Sequence, residues 1–303
     1  MKRFILLSVA LSAALAVSGC KTLELVTKAG TAVGVATGNI TADQAVSINK
    51  SSTAVGKAFD KLTPEQEYFI GRSVAASILA SYAPYDQEAA NRYLNTIGQA
   101  LALASDKPET FGGYHFLIMD TDEVNAFAAP GGLILISRGM LRCCKSEDEV
   151  AAVLAHEIGH VQLEHGLRAI KKSRWTSAFT ILGAETAKSL GGQQLAELTT
   201  AFEGAIGDVT ATMVNSGYAR KLESEADATA IVILKRIGYN PSALCNMLTE
   251  MEKRLGHDER GFAKTHPAPA DRVDEITGMI GTVTPIASQP QRAARFAKAL
   301  GNI

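Results

Sequence analysis

The sequence predicts a mainly helical α+β fold with one small antiparallel sheet. Stretches with apolar residues at helical spacing follow start signals at Thr63-Pro64, Ser146-Glu147 and Asn240-Pro241. Two short apolar runs, 114–120 and 132–137, follow Gly-Gly and Pro-Gly and read as strands. With 47% hydrophobic residues among 303, the chain can bury a sizeable core.

The N-terminus reads separately. Met1-Lys2-Arg3 is basic, and Phe4 to Val17 is a 14-residue apolar run. That is short of the roughly 20 residues a spanning helix needs. The run ends in Val17-Ser18-Gly19-Cys20. This resembles a bacterial lipobox, which implies a signal peptide over 1–19 and a lipidated, membrane-anchoring Cys20. Lys21 stands where Asp would favour retention at the inner membrane, so the resemblance to Gram-negative sorting implies the periplasm, anchored at the outer membrane. Residues 20–60 are small and weakly apolar and read as a tether, with one helix near Asp43–Phe59.

Thr63 caps the next helix, Pro64 takes its first position, and Gln66 completes a capping box. The helix runs towards Tyr82, and another follows over Gln87–Ala104. After the two strands, Ser146-Glu147-Asp148-Glu149 is a second capping box. It opens a helix with Val150, Val153, Leu154, Ile158 and Val161 on its apolar positions. A region of low charge, 168–218, reads as helical. Residues 176–215 within it suit either a lid or a core helical pair. Another helix spans Ala219–Ile237 and stops at Gly238. The last twenty residues, 284–303, read as a peripheral tail.

Composition excludes several classes. Thirty basic residues against 31 acidic give a formal charge of −1, so nothing argues for nucleic acid. Four cysteines are too few for a disulfide scaffold. Cys143 and Cys144 are adjacent and too strained to bond each other, which leaves buried thiols or a bridge from one of them to Cys245.

The chemistry lies at His156-Glu157-Ile158-Gly159-His160. A spacing of four puts both imidazoles on one helical face, the arrangement zinc needs. Glu157 lies about 100° round the helix, able to act as a base without occupying the metal. A third ligand is required. Position 166 is Gly and His165 comes one residue early, which excludes the metzincin pattern. Glu223-Ser224-Glu225-Ala226-Asp227 offers carboxylates from a later helix. The residues alone leave Glu223, Glu225 and Asp227 open as ligand or as hydrogen-bond acceptor for a ligand histidine.

HExxH followed by ExxxD resembles the zinc endopeptidase family of the CAAX prenyl protease and the heat-shock protease HtpX. Five further segments agree: 62–72, 124–132, 137–141, Arg220–Asp227 and Thr265-His266-Pro267-Ala268-Pro269-Ala270-Asp271-Arg272. The match covers about Leu62 to Ile280 and is nearest the soluble, BepA-like lipoprotein branch, without tetratricopeptide repeats. The resemblance implies a zincin-type (gluzincin) metalloprotease domain over 61–283, with an HExxH active-site helix and one Zn2+ per chain. It implies His156, His160 and Glu223 as ligands, Glu157 as base and Asp227 as the residue supporting a ligand histidine. It implies that His266 acts at the site, as an oxyanion donor or as a latch on the metal's open position. Protein or peptide substrates and the envelope assembly machinery are the implied partners, and envelope protein quality control the implied setting. Residues 125–132 would lie beside the substrate, with Gly131 and Gly132 either admitting it closely or serving as turn glycines. The competing reading is a zinc-bearing, chaperone-like envelope factor with little turnover.

Overall fold

Thr63 starts the first helix as the sequence requires: its hydroxyl accepts from the Gln66 N–H, and the Gln66 side chain accepts from the Thr63 N–H. The computed structural model describes residues 62–170, 192–255, 266, 268–281 and 289–303. The signal peptide, Cys20, the tether with its helix, and 176–191 of the expected lid lie outside the described residues. The chain divides into two units, one of Thr63–Ile170 and Ile206–Ile303, the other of Met1–Leu62 and Lys171–Ala205. Of the second unit the described residues are Leu62 and 192–205, the latter helical. Everything below concerns the first unit.

Its elements run α1 (Pro64–Leu79), α2 (Glu88–Leu103), β1 (His115–Met119), β2 (Ala126–Ala129), β3 (Leu133–Ser137), α3 (Arg138–Cys143), α4 (Glu147–Gln162) and α5 (His165–Arg168). They continue with the end of α6 (Gly192–Ala211), α7 (Arg220–Arg236), α8 (Ala243–Leu255), α9 (Pro269–Ile280) and α10 (Pro290–Leu300). None of the described helices is long and apolar enough to cross a membrane.

The mainly helical α+β class is as expected, but the sheet is mixed. Its order is β1-β3-β2, with β1 parallel and β2 antiparallel to β3. The difference arises because 126–129 is itself a strand. It forms the hairpin with β3 through the tight turn Pro130–Gly132, leaving β1 to take the far side of β3. An Ala-rich run carries no β-branched signature, so pattern alone passes over it. Gly131 in the turn has φ 76°, which an L side chain rarely adopts. Its N–H donates to buried Glu67 of α1, 3.0 Å away, and Lys107 Nζ pairs with the same carboxylate. The sheet edge is thereby pinned to α1.

α4 is the spine of the core. Every residue from Glu147 to Val161 except Asp148 is buried. It packs against α2, α7, α8 and β2. Ser146 accepts from the Glu149 N–H, but the Glu149 carboxylate reaches back to the N–H of Lys145, so the capping box is only half formed. Cys143, Cys144 and Cys245 are all free thiols, and burial pushes the Cys143 thiol up to about 11.

The C-terminal residues are not a peripheral tail. Leu300 is buried in the core, and Phe296, Ala299 and Ile303 pack on it. Arg292 and Arg295 of α10 reach Glu147, 1% exposed at the N-terminus of α4, which Tyr239 and Tyr93 also hydrogen-bond. A buried carboxylate needs such partners, and they come from an element remote in sequence. Arg295→Ala is expected to lower stability by about 1–3 kcal/mol, since it leaves a buried acceptor under-satisfied. Urea unfolding checks this. An unchanged midpoint would mean that Arg292 and the tyrosines suffice for Glu147.

Candidate metal centre

The site is built where α4 and α7 cross. Gly159, between the two histidines of α4, makes the crossing close. A Cβ there would lie 3.0 Å from the carbonyl oxygen of Ala226 on α7. The approach brings Glu223 and Asp227, one turn apart on α7, against His156 and His160, one turn apart on α4. All four residues are at most 3% exposed.

The Nε2 atoms of His156 and His160 are 3.1 Å apart. Glu223 Oε1 is 3.5 Å from His160 Nε2, and Glu223 Oε2 is 3.6 Å from His156 Nε2. Two ligand atoms about 2.0–2.1 Å from a tetrahedral ion would lie roughly 3.4 Å apart, so these spacings suit one. His266 enters from the loop before α9, with Nδ1 2.7 Å from Glu223 Oε2. One ligand atom from each of His156, His160, Glu223 and His266 lies within 4.8 Å of the others.

Each ligand-type imidazole is held from behind. His156 Nδ1 is 2.8 Å from Asp227 Oδ1. Asp227 is gripped bidentately by Arg272 of α9, through Nη2 at 2.6 Å and Nε at 3.0 Å. His160 Nδ1 meets His165 Nδ1 at 2.9 Å. Tyr218 stacks on the His160 ring, centroids 4.5 Å apart at 22°.

The electrostatics fit a cation. Burial pushes the His156 imidazole down, as does Arg272, but the Asp227 and Glu223 carboxylates prevail and hold it up at about 9. Burial drives His160 well below its ordinary value. Burial opposes the charge of Glu223, yet the histidines around it hold its carboxyl well below the usual range. Asp227 is likewise lowered against its burial, by Arg272 and His156. Glu157 is raised, chiefly by burial. Three buried carboxylates (Glu157, Glu223, Asp227) face one buried guanidinium, Arg272. With every imidazole neutral, as binding a metal through nitrogen requires, the formal balance is −2, which a divalent ion cancels. Among the described residues, none donates a hydrogen bond to the buried Oε1 atoms of Glu157 and Glu223. The donor set therefore fits a divalent metal that favours nitrogen and oxygen.

Beside these groups runs a cleft lined by Ala126, Phe127, Ala128, Glu157, Met213, Gly217, Tyr218 and His266. Glu157 faces the cleft, and β2 forms one wall.

Of the residues singled out in the sequence, His156, Glu157, His160, Glu223, Asp227 and His266 come together here. Glu225 does not join the ligand atoms; it sits 3.3 Å from His165 Nε2. Arg272 had no role assigned from sequence, though a signal existed. It occupies a buried position in the α9 stripe Pro269, Arg272, Ile276, Ile280, where a lone cation must have a buried partner. Tyr218 and His165 carry no such signal, because their contacts depend on the turns that follow α6 and α4.

A helical zincin-like unit with an HExxH helix and a crossing carboxylate helix defines the metallopeptidase class. The chain belongs to peptidase family M48, whose family model matches residues 88–280. It is similar to the beta-barrel assembly-enhancing protease of Escherichia coli K12, at 27% identity over 69% of this chain and 42% of that protein. It is 30% identical to the mitochondrial metalloendopeptidase OMA1 of Schizosaccharomyces pombe, over 50% of this chain and 42% of the relative. The metalloprotease LoiP of Escherichia coli K12 is 28% identical over 65% of this chain and 73% of its own length. The chain thus spans less than half the length of the assembly-enhancing proteases it matches.

Arg272→Leu would strand Asp227 in the core and free His156 to turn. A stability loss on the order of 3–5 kcal/mol is expected, with metal affinity falling roughly 10–100-fold. Chemical denaturation and metal titration measure the two. Wild-type values in both would remove Arg272 from the support of the site.

Proposed function

We propose that this chain is a zinc-dependent endopeptidase of protein substrates, working in envelope protein quality control. One observation carries the reading: His156, His160 and Glu223 converge with nitrogen and oxygen atoms at coordination spacing, next to a buried, cleft-facing Glu157. His156, His160 and Glu223 would hold one Zn2+. When bound, the ion supplies Lewis acidity to a carbonyl and acidity to a water.

The chain's own residues do the rest. Glu157 takes the proton of the attacking water and delivers it to the leaving amine. Its buried carboxyl, raised above the ordinary range, is a stronger base than an exposed glutamate. Asp227, itself fixed by Arg272, orients His156. β2, last in the strand order and one wall of the cleft, would take the substrate as an added strand, and its alanines would let the substrate backbone come near. His266, which offers a ligand-type nitrogen within 4.8 Å of the ligand atoms of the other three residues, would act as a latch.

The domain would begin near 61 and include α10, which packs on its core, with a signal peptide over 1–19 and a tether over 20–60 before it. Lipid on Cys20 would anchor it in the periplasm, at the outer membrane if the cell is Gram-negative. Support comes from the lipobox-like Val17-Ser18-Gly19-Cys20 and from the names of the assembly-enhancing relatives. Unfolded proteins of the envelope are the proposed substrates, and its assembly machinery the proposed partner.

Cleavage of an unfolded protein by the zinc-loaded chain tests the activity. Glu157→Gln is expected to keep zinc and fold but lose hydrolysis by at least about 100-fold. His266→Ala is expected to raise turnover. Hydrolysis at the wild-type rate by Glu157→Gln would overturn the role of the base. No hydrolysis by the wild type or by His266→Ala would favour a chaperone-like factor instead. Cys20→Ala is expected to move the protein from the membrane to the soluble fraction. Retention on membranes would mean another anchor.

A further inference from the structure

His165 is completely buried, though it is the first residue of a one-turn helix. The preceding Glu164 adopts a left-handed backbone, φ 56°, which ends α4 and folds the chain back so that His165 lies behind His160. The two rings meet through like atoms, Nδ1 to Nδ1 at 2.9 Å. His165 Nε2 then lies 3.3 Å from Glu225 Oε2, which also receives Arg168 Nη1 at 3.2 Å.

Two ring nitrogens at that distance share one proton, and only one of them can own it. The carboxylate decides which. Glu225 is an acceptor, so the facing Nε2 of His165 must carry a proton. A neutral His165 then has a bare Nδ1, which must accept from His160. The proton of His160 is therefore fixed on Nδ1, and its Nε2 lone pair is free to point at the metal-capable group. The opposite arrangement would set a bare Nε2 of His165 against a carboxylate, and it would put a proton on the His160 nitrogen that a metal needs bare.

We infer that His165 is a positioning residue that relays the tautomer choice from Glu225 to His160, so that His160 presents an unprotonated Nε2 to the metal. This rests on the reading of His160 as a ligand. The two histidine ligands are thereby supported differently. His156 is backed by a carboxylate under an arginine, His160 by a neutral ring whose carboxylate lies at the half-exposed edge of the unit.

Zinc titration of the full chain against a competing chelator tests the relay, with His165→Leu, His165→Gln, Glu225→Ala and His160→Ala beside the wild type. His165→Leu is expected to weaken zinc binding roughly 10–100-fold. His165→Gln can accept through Oε1 and donate through Nε2, and is expected to recover most of that loss. Glu225→Ala changes only the outer end, keeps the fold, and is expected to weaken zinc binding by a smaller factor. Nitrogen-15 spectra of the zinc-loaded wild type should show His160 protonated at Nδ1 and His165 at Nε2. A proton on His165 Nδ1 would overturn the relay. So would wild-type affinity in both His165→Leu and Glu225→Ala, or a His165→Gln variant no better than His165→Leu. Wild-type zinc binding by His160→Ala would instead sink the ligand reading itself. Lost binding there, with the relay variants unaffected, sinks the relay alone.

Discussion

The close crossing of α4 and α7 at Gly159 is the constraint on which the rest depends. A Cβ at 159 would crowd the Ala226 backbone, which would have to give by a few tenths of an ångström. Such a shift would be passed on to the site, where 3.5–3.6 Å separate the Glu223 oxygens of α7 from the histidine Nε2 atoms of α4. A glycine in a helix interior costs stability. Here the cost is offset by a crossing that sets two histidines against two acids with no intervening layer of side chains. The same residue that offers no ligand to the metal is what allows the ligands to meet.

Such a crossing concentrates charge in the core, and much of the remaining architecture answers that concentration. Arg272 on α9 neutralises and aligns Asp227. The loop before α9 delivers His266 to Glu223. The turn after α4 delivers His165 to His160. At the other end of α4, Glu147 is balanced by arginines from α10. The active-site helix is therefore held along its length by polar partners from remote elements, as well as by its apolar stripe. These partners fix ring and carboxylate orientations that hydrophobic packing alone would leave free.

Much of this was legible in the sequence, and the limits are physical. The HExxH spacing reads directly because helical period converts sequence distance into a shared face. Thr63, Pro64 and Gln66 read because capping is local. Choosing Glu223 over Glu225 is beyond local rules, since both lie on one helix and only the crossing angle distinguishes them. The strand at 126–129 was passed over because its alanines fit by being small between covering layers. The tail was misread because Arg292 and Arg295 look solvated until Glu147, about 145 residues earlier, is known to be buried beneath them. Tyr218 and His165 depend on irregular turns, the π-helical turn at Thr212–Ser216 and the left-handed Glu164, whose geometry no periodicity encodes.

The central proposal is that His156, His160 and Glu223 form a nitrogen–oxygen zinc centre at the α4–α7 crossing. The zinc X-ray absorption spectrum of the purified full chain tests it most directly. It should show only nitrogen and oxygen neighbours, at about 2.0–2.1 Å, with the outer scattering of imidazole rings. A neighbour near 2.3 Å would be sulfur, would put the metal on a cysteine, and would contradict the account.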